Sequence, residues 1–508
     1  MDSIIVKSFL PEIFLSLSVL LQLLFNVRVI NNLKFNYPVL DKETLVQTVF
    51  ILFCLLFLFF NLKIEVFFTN FLFLNNEGSR LIKILIVLSS LSALLLIFRS
   101  FVIQKLNFFE FFSLLLLAIF SLLLLASVYD LMSAYLCIEM QALCFYILAS
   151  FRRNSAVSTE AGLKYFISGA FISCLFLFGV SLIYGSLGTV NFNALSLLLS
   201  FPLEEEVSTG LNFFIIVGCL LIIVTLLFKV AAAPFHFWSP DVYEGAPLSS
   251  TIVFVIIPKV VLFSLLIKWI LTISNVFFEI KDIFLFSGVF SVFIGTFFSL
   301  QQKRIKRLII YSSIAQVGFL ILALTENSIS GFSSVFFFLI IYIVTSILVW
   351  GHFSVLYACE NQVSMFYKRP LVSLFLSSLS NLFERNKVWS SSFLIVFFSI
   401  AGIPPLCGFL AKVLIIYGLV ENSQIFTSIL LVLISVISVF YYIRVLKIIF
   451  FEISVKQSSA LSLLKSDFFF NTECLLFVLS IFFLIFFFFN PTLLLLFSQY
   501  IALCLIGI

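Results

Sequence analysis

Long apolar stretches separated by short polar segments run through the whole chain. About fourteen of them reach the roughly 20 residues that a helix needs to cross a bilayer. The predicted spans cover residues 8–28, 44–62, 81–98, 106–128, 131–151, 161–184, 211–233, 247–270, 283–300, 308–325, 331–358, 390–418, 424–450 and 470–496. The pattern predicts an all-α, polytopic membrane protein.

Composition agrees with this prediction, since 63% hydrophobic residues, 10% charged residues and a mean hydropathy of +1.25 leave no polar surface for a soluble globule. Phenylalanine supplies 71 of 508 residues, a bias that an AT-rich coding genome would produce. Met1–Ser8 lead into the first span without an Arg-rich presequence, which fits synthesis inside an organelle. The net charge of +5 does not by itself indicate a class of partner, and no nucleic acid is expected to bind.

Cations cluster in alternate loops. They include Arg28, Lys34 and Lys42 after span one, Arg99 and Lys105 after span three, Arg152 and Arg153 after span five, and further groups after spans nine, eleven and thirteen. The loops after spans six, ten and twelve carry none. The positive-inside rule then favours an even number of crossings with both termini on the less basic side. In a mitochondrion the basic side would be the matrix.

Three cations do not fit at span ends. Of 29 Lys and Arg residues, all except Lys229, Lys259 and Lys412 can be placed near the ends of predicted spans. A cation in the hydrocarbon region costs at least about 2.5 kcal/mol, so a protein that keeps three of them is expected to use them, most simply to move charge. The alternative is that each lysine snorkels to the surface or binds a lipid headgroup.

Two of these lysines lie beside predicted helix breaks. Lys229 is followed by Pro234, and Lys412 follows the segment AGIPP. Proline removes a backbone donor and kinks a helix, and freed backbone at membrane depth is tolerated only in a protein interior or beside a cavity. Two broken helices in corresponding positions of two halves are typical of an inverted-repeat transporter.

Glu139 is the clearest carboxylate in mid-span, and a charge partner would let it exchange protons near neutral pH. A protonated, hydrogen-bonded structural glutamate is the alternative. His236 and His352 are further proton-transfer candidates, with structural roles equally well supported. With only two histidines a pair of bis-His haems is excluded, and the nine cysteines form no CxxC pair and fit core positions.

Several segments resemble a known family. They are IEMQALCFYILASF, STEAGLKYFISGAFISCLFLFGVSLIYGSLG, FKVAAAPFHFWSPDVYEGAPLSSTIVFVIIPK, IKRLIIYSSIAQVGF and FFSIAGIPPLCGFLAK. In order and spacing they are similar to the chain 2 family of the proton-pumping NADH:ubiquinone oxidoreductase, respiratory complex I. The version around Glu139 resembles the mitochondrial form. Gln316 departs from the histidine found in many members.

The resemblance implies an antiporter-like subunit of about fourteen helices with two inverted five-helix repeats, in which helices 7 and 12 are broken. Its expected units are an N-terminal three-helix bundle (1–100), repeat 1 (101–275), repeat 2 (276–452) and a C-terminal loop and helix (453–508). Carried over to this chain, the family's proton relay falls on Glu139, Lys229, Lys259 and Lys412. The implied location is the mitochondrial inner membrane, with the gene in the organelle.

The resemblance also implies no cofactor in this chain, with FMN and iron–sulfur clusters in partner subunits. Other membrane-arm and accessory subunits and lipids such as cardiolipin are the expected partners. The expected function is proton translocation coupled to electron transfer from NADH to ubiquinone. From the residues alone, a free-standing cation/proton antiporter fits equally well, and a structural link with buried charges remains a third reading.

Overall fold

The all-α prediction is confirmed in the part of the chain that the structure describes. The computed structural model describes residues 8–32, 41–61, 66–67, 72–104, 110–200, 208–274, 276–367, 375–380, 382–452 and 471–506. In these ranges the paired strands are β1 (Val66–Phe67) and β2 (Leu74–Asn75), which run antiparallel. Helices dominate because a backbone in lipid must satisfy its hydrogen bonds within its own segment.

The first half of the described chain contains the helices α1 (Leu10–Asn32), α2 (Asp41–Asn61), α3 (Glu77–Gln104), α4 (Glu110–Ala126), α5 (Leu131–Ala149), α6 (Ala156–Leu187), α7 (Phe192–Ser200), α8 (Ser208–Val230), α9 (Trp238–Gly245), α10 (Leu248–Ile256) and α11 (Pro258–Thr272). The second half contains α12 (Phe277–Gln301), α13 (Ile305–Leu324), α14 (Ile329–Tyr367), a 3₁₀ turn (Leu376–Leu379), α15 (Leu382–Arg385), α16 (Lys387–Ala401), α17 (Cys407–Glu421), α18 (Ile425–Phe450), α19 (Asn471–Phe489) and α20 (Thr492–Ile506).

Among the described residues, eleven helices are long and apolar enough to cross a membrane. The number is twelve if α19 and α20 together count as one span. The predicted span 106–128 is the shorter helix α4, and 390–418 is divided between α16 and α17. The count of fourteen therefore stays a prediction. The predicted span 470–496 is interrupted, since α19 and α20 meet at an angle of 92° at Asn490 and Pro491.

The centre of the protein is formed by α10, α11 and α14. In Leu248–Thr272 every residue of the most apolar stretch is buried. In Ile329–Tyr357 89% of the residues in the corresponding stretch are buried. A helix that is apolar on all sides can be satisfied only by neighbours on all sides. Lys259 lies in this enclosed layer, where the other helices keep lipid away from it.

Both predicted helix breaks are present. The first separates α8 from α9, with Ala231 at φ 66° and the Trp238 indole donating to the Phe228 carbonyl oxygen at 3.0 Å. The second separates α16 from α17, with Gly402 at φ 80°. A third, unpredicted interruption lies between α10 and α11, immediately before Pro258.

Ion pairs hold α9 against the start of α13. Arg304 lies 2.5 Å from Glu244, Arg307 lies 3.0 Å from Asp241, and the Lys306 ammonium donates to the Glu244 carbonyl oxygen at 3.2 Å. Exposed ion pairs contribute little one at a time, but a network can orient an element. These pairs fix the short helix that follows the first break to the basic face of the protein.

Two lysines assigned to span ends from the sequence are in fact buried, and this corrects the count of three. Lys83 is 1% exposed in α3, and its ammonium lies 2.5 Å from a carboxylate oxygen of Glu12 and 2.5 Å from the Asn75 side-chain oxygen. Glu12, four residues after the start of the predicted span 8–28, is 2% exposed. Lys268, 5% exposed in α11, donates to backbone carbonyls. Neighbouring helices enclose both lysines, which single-span hydropathy does not detect.

Replacing Glu12 with alanine should destabilise the protein by about 3–5 kcal/mol, because it leaves the Lys83 charge buried without its carboxylate. Denaturant unfolding of the purified protein in detergent measures the loss. The double variant Glu12→Leu with Lys83→Met should recover most of it, since an apolar pair needs no charge partner. Wild-type stability in Glu12→Ala would show that the pair does not support this bundle.

Candidate functional site

Lys229 and Glu139 face each other inside the protein. Lys229 is the penultimate residue of α8, and Glu139 lies in the middle of α5. The Lys229 ammonium and one Glu139 carboxylate oxygen are both shielded and have no hydrogen-bond partner among the described residues. The Glu139 charge acts on Lys229 through space. The Glu139 charge therefore compensates the Lys229 ammonium without a hydrogen bond between the two side chains.

One cavity joins Lys229 to Lys259. Both lysines line it, together with Gln141, Tyr165 and Trp238, and about 20 Å³ of it is open to the centre of a water molecule. A single water needs about 10–15 Å³ on this measure. The cavity that both lysines line therefore has room for one water molecule. Lys412 does not line it.

Lys259 is held by an aromatic ring and its hydroxyl. Its ammonium donates to the Tyr342 hydroxyl at 2.6 Å and lies 4.2 Å from the centre of the same ring. The Tyr342 hydroxyl in turn donates to the Val255 carbonyl oxygen at 3.3 Å. These neutral partners stabilise the ammonium without an opposite charge, so its protonation remains sensitive to charge nearby.

Lys412 lies at the second break and caps a helix. Its ammonium donates to the Ala401 carbonyl oxygen at 2.7 Å, at the C-terminal end of α16, and lies 5.5 Å from the Phe319 ring. The last carbonyls of a helix carry partial negative charge, which favours a cation. A Cβ at Gly402 would come within 2.8 Å of the Lys412 side chain, so glycine makes room for it.

The two broken helices are not equivalent around their lysines. Lys229 precedes its break and ends α8, whereas Lys412 follows its break and lies within α17. Both α8 and α16 run toward their breaks before the chain turns, so the two lysines lie on opposite sides of the interruptions. The two breaks correspond between the halves, but the lysines beside them do not occupy equivalent positions.

The histidines do not join the lysines. His352 uses both ring nitrogens, Nδ1 with the Leu348 carbonyl oxygen at 2.5 Å and Nε2 with the Ser392 hydroxyl at 2.6 Å. A carbonyl only accepts, so Nδ1 carries a proton and the ring ties α14 to α16. His236 lies in the first break, stacked on Phe237 at 4.8 Å. Its Nδ1 is buried with no hydrogen-bond partner in the described chain, which keeps it a candidate for proton transfer.

Lys268 is a buried cation that the sequence reasoning missed. It lies nine residues after Lys259 in α11, and its ammonium donates to the carbonyl oxygens of Ala126 at 2.8 Å and Val128 at 3.2 Å. A cavity with about 180 Å³ open to water centres lies beside it, lined also by Tyr129. The charge of Lys83 acts on it. Lys268 lies two residues before the end of the predicted span 247–270, so hydropathy alone does not distinguish it from cations at span ends.

The sequence matches the family described as "NADH:quinone oxidoreductase/Mrp antiporter, TM" over residues 128–438. It is 34% identical over 503 residues to NADH-ubiquinone oxidoreductase chain 2 of Marchantia polymorpha, covering 97% of this chain and 98% of that one. It is 36% identical over 388 residues to chain 2 of Oenothera berteroana, covering 76% of each. NADH-quinone oxidoreductase subunit N of Pelagibacter ubique is 34% identical over 87% of this chain and 89% of its own.

Solved structures are similar in fold. A chain of respiratory complex I from Thermus thermophilus superposes with a TM-score of 0.70 at 24% identity, covering 96% of this chain and 98% of that one. A chain of the Mrp complex from Dietzia superposes with a TM-score of 0.78 at 17% identity, covering 99% and 98%. At these identities the likeness concerns the fold.

Replacing Tyr342 with phenylalanine should destabilise the protein by about 1.5–3 kcal/mol, because the Lys259 ammonium loses a hydrogen bond while the ring stays. Thermal unfolding of the purified protein measures this loss. Tyr146→Phe is the matched control, since the Tyr146 hydroxyl has no hydrogen-bond partner among the described residues, and it should leave stability unchanged. Equal stability of both variants would contradict a bonded role for the Tyr342 hydroxyl.

Proposed function

The chain belongs to the family of NADH:quinone oxidoreductase and Mrp antiporter membrane subunits, and from this we propose that it is a proton-translocating membrane-arm subunit of respiratory complex I. The near full-length identity with a chain 2 relative supports this assignment. The protein is a multi-pass component of the mitochondrial inner membrane, encoded in the organelle like its plant relatives.

A relay through Glu139, Lys229, Lys259 and Lys412 carries the proton. The single observation that supports it most is the cavity shared by Lys229 and Lys259, with the Glu139 charge acting on Lys229. Lys229 lies toward the basic face, to which α9 is bound, and Lys259 lies in the enclosed centre. Protons therefore load from the matrix side at Lys229.

Electrostatics supply the control. Two unit charges about 6 Å apart interact by about 3 kcal/mol at an effective dielectric of about 20, which changes a protonation equilibrium about a hundredfold. With Glu139 ionised, Lys229 stays an ammonium. When a neighbouring event moves or neutralises the Glu139 charge, Lys229 releases its proton toward Lys259.

The energy comes from partners. Against a membrane potential of about 150 mV each proton requires about 3.5 kcal/mol. Electron transfer in other complex I subunits, where FMN and iron–sulfur clusters reside, supplies it, and this chain holds no redox centre. Its neighbours are other membrane-arm and accessory subunits, with lipids such as cardiolipin in the gaps between helices.

The chain divides into an N-terminal bundle (1–100), repeat 1 (101–275), repeat 2 (276–452) and a C-terminal unit (453–508), with the two five-helix repeats inverted. One helix break in each repeat supports this division. A free-standing cation/proton antiporter is the second candidate, favoured by the fold shared with a chain of the Mrp complex. The third candidate is a structural link, in which the buried charges only fix helix packing. Such a protein would not need the cavity that Lys229 and Lys259 share.

Assembly separates the first two candidates. A native gel of mildly solubilised membranes, stained for NADH dehydrogenase activity, should show peptides of this chain only in the large active band. Mass spectrometry across the lane makes the measurement. Migration alone at low mass, together with sodium flux by the isolated chain, would instead establish the antiporter.

Lys229→Ala should remove most proton pumping through this subunit while the complex still assembles, because the Glu139 charge then has no cation to control. The measurement is the number of protons translocated per NADH oxidised in sealed vesicles. Lys447→Ala, at an exposed position near the end of α18, is the control and should keep the wild-type yield. A normal yield in Lys229→Ala would leave only the structural-link reading.

A further inference from the structure

Glu326 is a buried carboxyl that the relay described above does not use. It lies between α13 and α14, is 7% exposed, and one of its carboxylate oxygens has no hydrogen-bond partner in the described part of the chain. A Cβ on Gly418 would overlap this carboxyl, and one on Gly331 would come within 2.7 Å of the Glu326 side chain. Two glycines from two other elements thus form a notch that holds an acid group.

The notch lies beyond the helix turn that contacts Lys412. The Lys412 ammonium is 5.5 Å from the ring of Phe319 in α13, and Glu326 follows Phe319 by seven residues. Because α13 ends at Leu324, Glu326 lies just past the end of this helix, about 10 Å along the axis from Phe319. Gly418, which borders Glu326, follows Lys412 in α17. About three water molecules at hydrogen-bond spacing would be needed to bridge a separation of about 10 Å.

Glu326 lies at the face opposite the basic loops. α13 begins at Ile305, directly after Lys303 and Arg304, and ends at Leu324. Its 20 residues span about 30 Å, the thickness of the hydrocarbon region. If the basic face is the matrix side, Glu326 is at the intermembrane-space side.

Three effects set the charge of Glu326. Burial is the largest and raises its pKa, the carboxylate of Glu421 at the end of α17 raises it further, and Lys281 of α12 opposes them. Together they raise the pKa of Glu326 to about 8. A group whose pKa lies near the working pH can both take and give a proton.

We propose that Glu326 is the outlet of the second half of the protein, accepting the proton that Lys412 releases and passing it to water at the face opposite the basic loops. The notch, the unpartnered oxygen and the position of Glu326 just past the end of α13 carry this inference, which rests on the proton-translocating function proposed above. In the transfer the Lys412 ammonium becomes an amine and the Glu326 carboxylate becomes an acid. Release to water restores the carboxylate, and Lys412 is reloaded from the relay.

Glu326→Gln tests the outlet, because it keeps the shape of the side chain and removes its titration. In the assembled complex the protons translocated per NADH oxidised should fall to the level of Lys412→Ala. Asp282→Asn, an exposed acid in the first turns of α12, is the matched control and should keep the wild-type yield. A wild-type yield in Glu326→Gln together with a loss in Lys412→Ala and Lys229→Ala overturns the outlet and leaves the proposed function intact. Wild-type yields in all three overturn the function itself.

Glu421→Gln provides a second test that leaves Glu326 in place. Infrared spectra of the purified complex, compared with Glu326→Gln or, if that variant fails to assemble, with Glu326→Asp, isolate the absorbance of the protonated Glu326 carboxyl. In the wild type this absorbance should disappear as pH rises through about 8, the pKa of Glu326. Removing the like charge of Glu421 should move the midpoint to lower pH. A Glu326 midpoint in the ordinary glutamate range, or one that Glu421→Gln does not move, overturns the proposal.

Discussion

A charged lysine inside a membrane protein must find an oxygen or an opposite charge, and most of the polar architecture of this chain follows from that constraint. Lys83 is matched by the Glu12 carboxylate, Lys268 by backbone carbonyls, and Lys412 by the end of a helix. Lys259 has a tyrosine hydroxyl and its ring. Lys229 differs, since its compensation is the charge of Glu139 across a gap. The lysine with the weakest direct contacts is the one best placed to lose its proton.

The helix breaks serve the same constraint. An intact helix has no free carbonyls for a side chain, whereas a broken one exposes its last turn. Lys412 uses this directly through Ala401, and Trp238 satisfies the Phe228 carbonyl at the first break. Because lipid offers no hydrogen bonds, such backbone is tolerated only in the protein interior.

Charge also gives the protein a direction across the membrane. The ion pairs of Arg304 and Arg307 with α9 lie at one face, and Glu326 with Glu421 lies at the other. Lys229 ends its helix near the first face, while Lys412 lies beyond its break toward the second. In the proposed relay, the basic groups lie at the side where protons load and the acid lies at the side where they are released.

The sequence by itself determined the fold class, the approximate spans and the two main breaks, because apolar length and proline chemistry are local properties. It also singled out Glu139, Lys229, Lys259 and Lys412 as candidates, since a charge within an apolar run is visible without a structure. Only the tertiary structure decided which charges are buried and by what. Lys83, Lys268 and Glu326 lie near span ends or in a loop, and the helices that enclose them come from distant parts of the chain. The 92° bend between α19 and α20 and the shared cavity of Lys229 and Lys259 likewise depend on packing between segments, for which hydropathy along one segment carries no information.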